Sequence, residues 1–256
     1  MGSRGSKGFV LAGCRVLVLP LTIVACAGFG EQSAPRVAVL AELFTSEGCN
    51  SCPPADRLLE HLLEEQPIDG VYVVALSEHV TYWDNQGWKD PFDSQQFTAR
   101  QQQYGLRFNL DSIYTPQLIV DGSHEFVGSD QRSIERALRD AAKTPKAPMQ
   151  VQVTSGDGVL NAAVSGPGAA EKDGELWFAL TEDHLSVEVK RGENANKTLK
   201  HSGVVRILQS AGDTDASSKK VSFKLSPDWR REHLRVVAFV QSRKDRRILS
   251  VGVGSI

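Results

Sequence analysis

With 256 residues and 41% hydrophobic side chains, the chain can form one large domain or two small ones, and its composition is that of ordinary globular protein. A formal net charge of -2 leaves no electrostatic footprint for nucleic acid, so that class of partner is not expected. Four cysteines are too few for a disulfide scaffold in a chain of this length.

The N-terminus reads as a leader. Arg4, Lys7 and Arg15 precede the apolar run 16–25, which has the length and flanks of a secretory signal and is too short for an ordinary membrane helix. Ala25-Cys26-Ala27 suits ordinary signal peptidase, whereas Ile23-Val24-Ala25-Cys26 resembles a bacterial lipobox. In the second case Cys26 is lipidated and attaches the protein to a membrane. Residues 1–27 are read as a signal peptide or a lipoprotein signal, and both readings place the protein in the bacterial periplasm or outside the cell, where disulfides persist.

Residues 37–41 (VAVLA) are a short apolar run with the composition of a buried strand. Cys49-Asn50-Ser51-Cys52 follows, and then an amphipathic helix whose stripe is Ala55, Leu58, Leu59, Leu62 and Leu63. Residues 71–77 form a second near-continuous apolar run, as in a strand buried on both faces of a parallel sheet. The polar and aromatic connection 78–90 is long for a simple loop, which favours a functional role. Asp90-Pro91 is predicted to cap and start a helix reaching about Tyr104. Residues 118–120 are a strand, Asp121-Gly122 a hairpin turn and Glu125 to Val127 the return. Ser129 is predicted to cap a last helix that buries Ile134, Ala137, Leu138, Ala141 and Ala142.

After a linker at 143–148 the period changes. Eight short strands are predicted, at 150–153, 159–164, 176–181, 186–190, 204–208, 221–225, 234–240 and 247–253. The cluster from Lys190 to His201 is polar and loop-like, read first as a solvated connection and second as a docking loop. The expected organisation is an α/β thioredoxin-like domain over 36–145, a mixed sheet flanked by helices, followed by an all-β sandwich-like domain over 149–256.

A C-x-x-C pair between a strand and a helix is a thioredoxin-like redox motif. The thiolate is the attacking species, and a helix N-terminus stabilises it with unpaired N–H groups and the positive end of the macrodipole. Cys49 is expected to be exposed and attacking, with Cys52 a turn further on, more buried and resolving. Three plainer readings stand beside this one: half of a zinc site, for which no second C-x-x-C or H-x-x-x-H supplies ligands, an inert disulfide, and chance. Thr115-Pro116 precedes an apolar strand, which favours a cis peptide bond over the ordinary trans proline at a strand start.

Four ordered motifs, GCNSCPPADRLL, HVTYWDNQGWKDPF, YTPQLIVDG with EFVGSD, and RGENANKTLKHSGVVR, are similar to a secreted bacterial family known as domain of unknown function 1223. The likeness covers nearly the whole chain after the leader. It implies a thioredoxin-like N-terminal half, a disulfide-forming pair at Cys49 and Cys52 and a cis proline at Pro116. It implies no substrate, and members often carry Asp where this chain has Thr81.

The predicted function is an extracytoplasmic thiol–disulfide oxidoreductase acting on protein cysteines together with a redox partner, without a cofactor. Glu42 is a candidate buried base near the pair, with an edge or surface glutamate as the equal alternative. Thr115, His79 and Trp83 are candidates for the substrate groove. A rival reading is a non-enzymatic copper carrier using Cys49, Cys52 and His79; another makes the β half a docking module. With no positive charge at Asn50-Ser51 and Glu47 nearby, an intermediate or reducing potential is predicted.

Overall fold

In the computed structural model the parallel strands β1 (Val37–Thr45) and β2 (Val71–His79) run in register, from Val37 opposite Val71 to Thr45 opposite His79. The structure describes residues 1–5, 8, 36–214 and 219–256. Cys26 and nearly all of the expected leader lie outside the described residues. Helix α1 (Pro53–Glu65) links the two strands, with prolines at its first positions, where a missing N–H is least damaging. Its buried face is the expected stripe with one polar addition, Asp56.

β3 (Gln117–Val120) pairs antiparallel with β1, and β4 (His124–Val127) with β3. Helix α3 (Gln131–Ala142) covers one face. There Val39, Ala41 and Leu43 of β1 meet Leu59 and Leu62 of α1 and Leu138 of α3. Helix α2 (Gln95–Phe108) covers the opposite face, where Phe44 of β1 stacks edge-on against Tyr104.

Two helix starts differ from the sequence reading. α2 begins at Gln95 with Ser94 as its cap, because the Asp90 carboxylate is taken by other partners. α3 is capped by Asp130, not Ser129; the Asp130 carboxylate accepts from the Ser133 amide at 3.2 Å.

The later strands are β5 (Gln150–Gly156), β6 (Val159–Ser165), β7 (Gly174–Glu182), β8 (Leu185–Glu188), β9 (Thr198–His201), β10 (Val204–Asp213), β11 (Lys219–Lys224), β12 (Leu234–Ser242) and β13 (Ile248–Ser255). β9 was not foreseen: it lies in the expected polar loop and pairs with β8, Leu185 opposite His201. One eight-stranded mixed sheet runs β13-β12-β7-β10-β2-β1-β3-β4. It passes through the predicted domain boundary, because β10 pairs parallel with β2 at Val204 and Ser77. Residues 34–256 accordingly form one compact unit. The sheet β11-β6-β5 faces β7 and β12, with Leu160, Val164 and Phe223 packed on Leu176, Phe178 and Val236.

Candidate active site

β1 ends at Thr45, and the chain turns through Ser46-Glu47-Gly48 to the cysteines before α1 begins. Cys49 and Cys52 form a disulfide, with Cα atoms 5.5 Å apart. Cys52 is the N-cap residue, with helical backbone angles, and its carbonyl accepts from the amides of Ala55 and Asp56 at 2.8 and 3.1 Å. The pair thus sits at the strand-to-helix junction.

Cys49 is not exposed, contrary to the sequence reading: both cysteines are 0% accessible. The cover comes from two distant segments. The 3-10 turn Thr81–Gln86 brings Trp83 over Gly48, where an added Cβ would stand 3.0 Å from the Trp83 Cβ. From the β8–β9 connection, the buried Asn194 donates its amide to the carbonyls of Glu47 and Cys49, both at 2.9 Å. Glu193 accepts from the Asn50 amide at 3.1 Å. Gly192, with φ at +78°, lets this connection lie on the chain at Gln86 and Trp88, where a side chain would be strained.

Beneath the turn lies a cluster of ionisable groups, all buried: Glu47, Asp56, His79, Asp90 and His201. Asp90 accepts from His79 Nδ1 at 2.7 Å and from the Glu47 amide at 2.8 Å. Glu47 accepts from Trp88 Nε1 at 2.7 Å and faces His201 Nε2 at 3.3 Å. Asp56 accepts from the Thr45 hydroxyl at 2.8 Å, and its other oxygen lies 4.0 Å from His201 Nδ1. The two imidazoles meet edge to face, 4.9 Å between centroids. Among the described residues, His79 Nε2 and His201 Nδ1 have no hydrogen-bond partner.

Burial drives the Asp56 carboxyl above its ordinary value, against the pull of His201 and His79. Burial would lower the His79 imidazole, but Asp90, Asp56 and Glu47 together outweigh it and hold it above its ordinary value. Asp90 is held low by His79 and by the amides of Glu47 and Phe92, despite its own burial.

The Thr115–Pro116 bond is cis. Trp83 Nε1 donates to Thr115 Oγ1 at 2.7 Å, and the Pro116 carbonyl accepts from the Gly128 amide at 2.8 Å. A Cβ on Gly128 would stand 3.0 Å from both Ala55 and Pro116, so Pro116 lies close to the first turn of α1. Thr115, Pro116, Trp83 and the cysteine turn therefore come together, and His79 lies in the ionisable cluster beneath.

Glu42 is placed elsewhere. It points to the α2 face of the sheet, where Arg100 bonds it at 2.6 Å and the Tyr104 hydroxyl donates to it at 2.5 Å. Arg100 also reaches Glu78 at 3.5 Å and Gln241 at 3.1 Å, tying α2 to β1, β2 and β12. Burial pushes the Glu78 carboxyl well up. Cys49, Cys52 and His79 are not gathered as a copper set. Among the described residues, no group of three or more His, Cys, Asp or Glu side chains could hold a metal ion.

Asp56, His201, Asp90 and Asn194 were not among the sequence candidates. Asp56 carried a readable signal, being a carboxylate inside an apolar helical stripe, four residues after Cys52.

Among solved structures, the chain is similar to protein AGR_C_4864 from Agrobacterium tumefaciens, at 26% identity and TM-score 0.65, over 87% of this chain and 96% of that one. It also resembles HBP35 of Porphyromonas gingivalis, at 18% identity and TM-score 0.58, over 88% of this chain and 77% of that one; that likeness speaks to fold alone. No curated protein matches the chain by sequence. The sequence profile of one family matches residues 40–241, and the chain belongs to that family, described as "Protein of unknown function (DUF1223)".

Proposed function

We propose that the chain is an extracytoplasmic thiol–disulfide oxidoreductase acting on cysteines of other proteins. We read it as a thioredoxin-like unit over 36–145 carrying a sandwich-like β unit over 149–256. One observation carries the functional reading: Cys49 and Cys52 are joined at the β1–α1 junction, with Pro116 and Ala55 meeting at Gly128 beside them. The strand order β2-β1-β3-β4, with α1 crossing from β1 to β2 and α3 after β4, supports the thioredoxin-like reading. The β11-β6-β5 sheet facing β7 and β12 supports the sandwich-like one.

In the reduced protein the Cys49 thiolate attacks a partner disulfide. A bond forms from Cys49 to one partner sulfur, and the other leaves with the electron pair and takes a proton. Cys52 then attacks the Cys49 sulfur, the partner's second thiol departs, and the pair is left oxidised. Run in reverse, the same steps oxidise a partner dithiol. Pro116 and Thr115 present the partner backbone, and Trp83 borders the groove, while His79 lies buried beneath it. The leader at 1–27 delivers the protein to the periplasm or beyond, and lipidation of Cys26 would hold it at a membrane.

The test is partner trapping in the native host. Cys52→Ser should accumulate mixed disulfides through Cys49, and Cys49→Ser should not. Equal trapping by both variants, or none by either, would overturn the assignment.

A further inference from the structure

The two-stranded ribbon of β8 and β9 stands apart from the main sheet. β7 and β10 pair directly with each other from Glu182 and Val204 onward, and the ribbon is the excursion between them. The chain leaves at His184, with φ at +57°, and returns through Gly203, with φ at +68°. Its far end lies on the cysteine turn through Asn194 and Glu193. Cys49 has no accessible surface, so a protein partner reaches it only when something above it moves.

The segment carrying Trp83 is tied down. The Thr81 amide donates to Thr98 Oγ1 at 3.0 Å, the Tyr82 hydroxyl to Gln101 at 3.1 Å and Trp83 Nε1 to Thr115 at 2.7 Å. The ribbon, by contrast, is bound together better than it is bound to its surroundings. Leu185 to Glu188 pair with Thr198 to His201. Beyond them the Val189 amide donates to the Lys197 carbonyl at 3.0 Å, and the Asn196 amide to the Val189 carbonyl at 2.8 Å. Lys197 Nζ donates to Asn194 Oδ1 at 3.0 Å, which leaves the amide nitrogen for the two turn carbonyls. Val189 and Leu199 are the only buried apolar side chains of the ribbon, and among the described residues neither joins a hydrophobic core cluster. An element with so few buried apolar contacts opens at low free energy.

The root of the ribbon is clamped from α1. Glu64 accepts from the Ser202 hydroxyl at 2.9 Å and lies 3.1 Å from His184 Nδ1, so one carboxylate holds both strands where they leave the sheet. The His184 ring also meets His233 edge to face, 5.0 Å between centroids, and His201 faces Glu47 at 3.3 Å.

We propose, on the basis of the oxidoreductase reading above, that the β8–β9 ribbon is a hinged arm turning at His184 and Gly203. A protein disulfide reaches Cys49 only with the arm swung out, and Glu64 sets how often it swings. Glu64 stands twelve residues beyond Cys52, about 18 Å along α1, and its partners are Ser202 and His184. Its hold on the cysteines is therefore exerted through the arm.

The experiment uses the full chain, oxidised, with two reductants of different size. Reduced thioredoxin gives up two thiols to become a disulfide as Cys49–Cys52 becomes two thiols. A water-soluble trialkylphosphine does the same and takes an oxygen from water to become the phosphine oxide. Glu64→Ala should speed the thioredoxin reaction about two- to tenfold, the weight of one lost hydrogen bond, and the phosphine reaction less. Glu193→Ala, at the tip, should act in the same direction, and Glu64→Gln, which still accepts from Ser202, should fall between Glu64→Ala and wild type. In hydrogen exchange the Asn50 amide, which donates to Glu193, should lose protection in Glu64→Ala while the amides of Val189 and Asn196 keep theirs. An unchanged ratio of the two reduction rates in Glu64→Ala would overturn the proposal. Equal loss of protection at Asn50, Val189 and Asn196 would overturn it too, because the ribbon would then melt and not swing. Neither readout needs a physiological partner, so an absence of trapping by Cys52→Ser alongside these results would defeat the oxidoreductase reading by itself.

Discussion

Asn194 lies 145 residues beyond Cys49, and its side-chain amide donates to the Cys49 carbonyl at 2.9 Å. The same group serves the Glu47 carbonyl at 2.9 Å, so one residue of the C-terminal half pins both ends of the turn leading into the disulfide. Asn194→Ala leaves the buried Glu47 carbonyl without its side-chain donor and the Cys49 carbonyl with the Cys52 amide alone, at 3.3 Å. The expected cost is on the order of 2 kcal/mol in urea unfolding. Reduction of the disulfide by a protein reductant should accelerate more than reduction by a small phosphine. Equal acceleration of the two would show that Asn194 does not govern access.

Arg100 carries the other buried network. It stands between Glu42 at 2.6 Å and Glu78 at 3.5 Å, with the Tyr104 ring beside its guanidinium. Arg100→Met removes the only cation bonded to Glu42 among the described residues and leaves that carboxylate buried. Breaking a buried pair in this way costs about 3–5 kcal/mol. Calorimetry should show a large fall in Tm, and a double variant with Glu42→Gln should recover part of it.

The His79–Asp90 pair sets a pH dependence. His79 is raised above 6.5, so its contribution is complete below that pH and is lost as pH rises through the raised value. Asp90 is lowered below 3.8, so its contribution is present above that pH and is lost as pH falls through the lowered value. From this pair, stability should be level between 3.8 and 6.5 and decline on either side. Asp90→Ala should flatten the alkaline decline and lower stability at pH 6 by about 3–5 kcal/mol. Urea midpoints measured from pH 4 to 9 check both statements.

Gly128 joins the proline segment to α1. A methyl group there would stand 2.8 Å from Leu43 and 3.0 Å from Ala55 and Pro116. Gly128→Ala should cost about 1–3 kcal/mol by overpacking. It should also slow the reaction of the reduced pair with a protein disulfide more than with oxidised glutathione, because the wall of the groove moves. An unchanged ratio of the two rates would refute the link to the groove.

The parts of this architecture that are local in sequence were legible. The α1 stripe from Ala55 to Leu63 and the apolar runs of β1 and β2 follow from periodicity, and Cys49-x-x-Cys52 between them names the pair. What surrounds the pair was not legible, because it is assembled from afar. β9 offers one apolar residue, Leu199, among Thr198, Lys200 and His201, so no strand pattern marks it. Asn194 and His201 acquire their partners through the pairing of β9 with β8 and the joining of β10 to β2. Asp90 looked like a helix cap because Asp-Pro usually is one. Its carboxylate instead serves His79 and the Glu47 amide, and Ser94 caps the helix.

The joint between β2 and β10 is short, with Ser77 opposite Val204, and the Ser77 amide donates to the Gly203 carbonyl at 2.7 Å. His79 lies two residues past Ser77 and His201 three before Val204, so this one joint brings the two imidazoles together. The two imidazoles therefore meet beside the cysteines at a joint within one continuous sheet, and the cover over the disulfide rests on the few bonds made by the β8–β9 connection. Such a cover needs only local competition to lift it. A partner segment that offers its own amides to the carbonyls of Glu47 and Cys49 would take the place of Asn194 and reach the sulfurs while the rest of the fold stays intact.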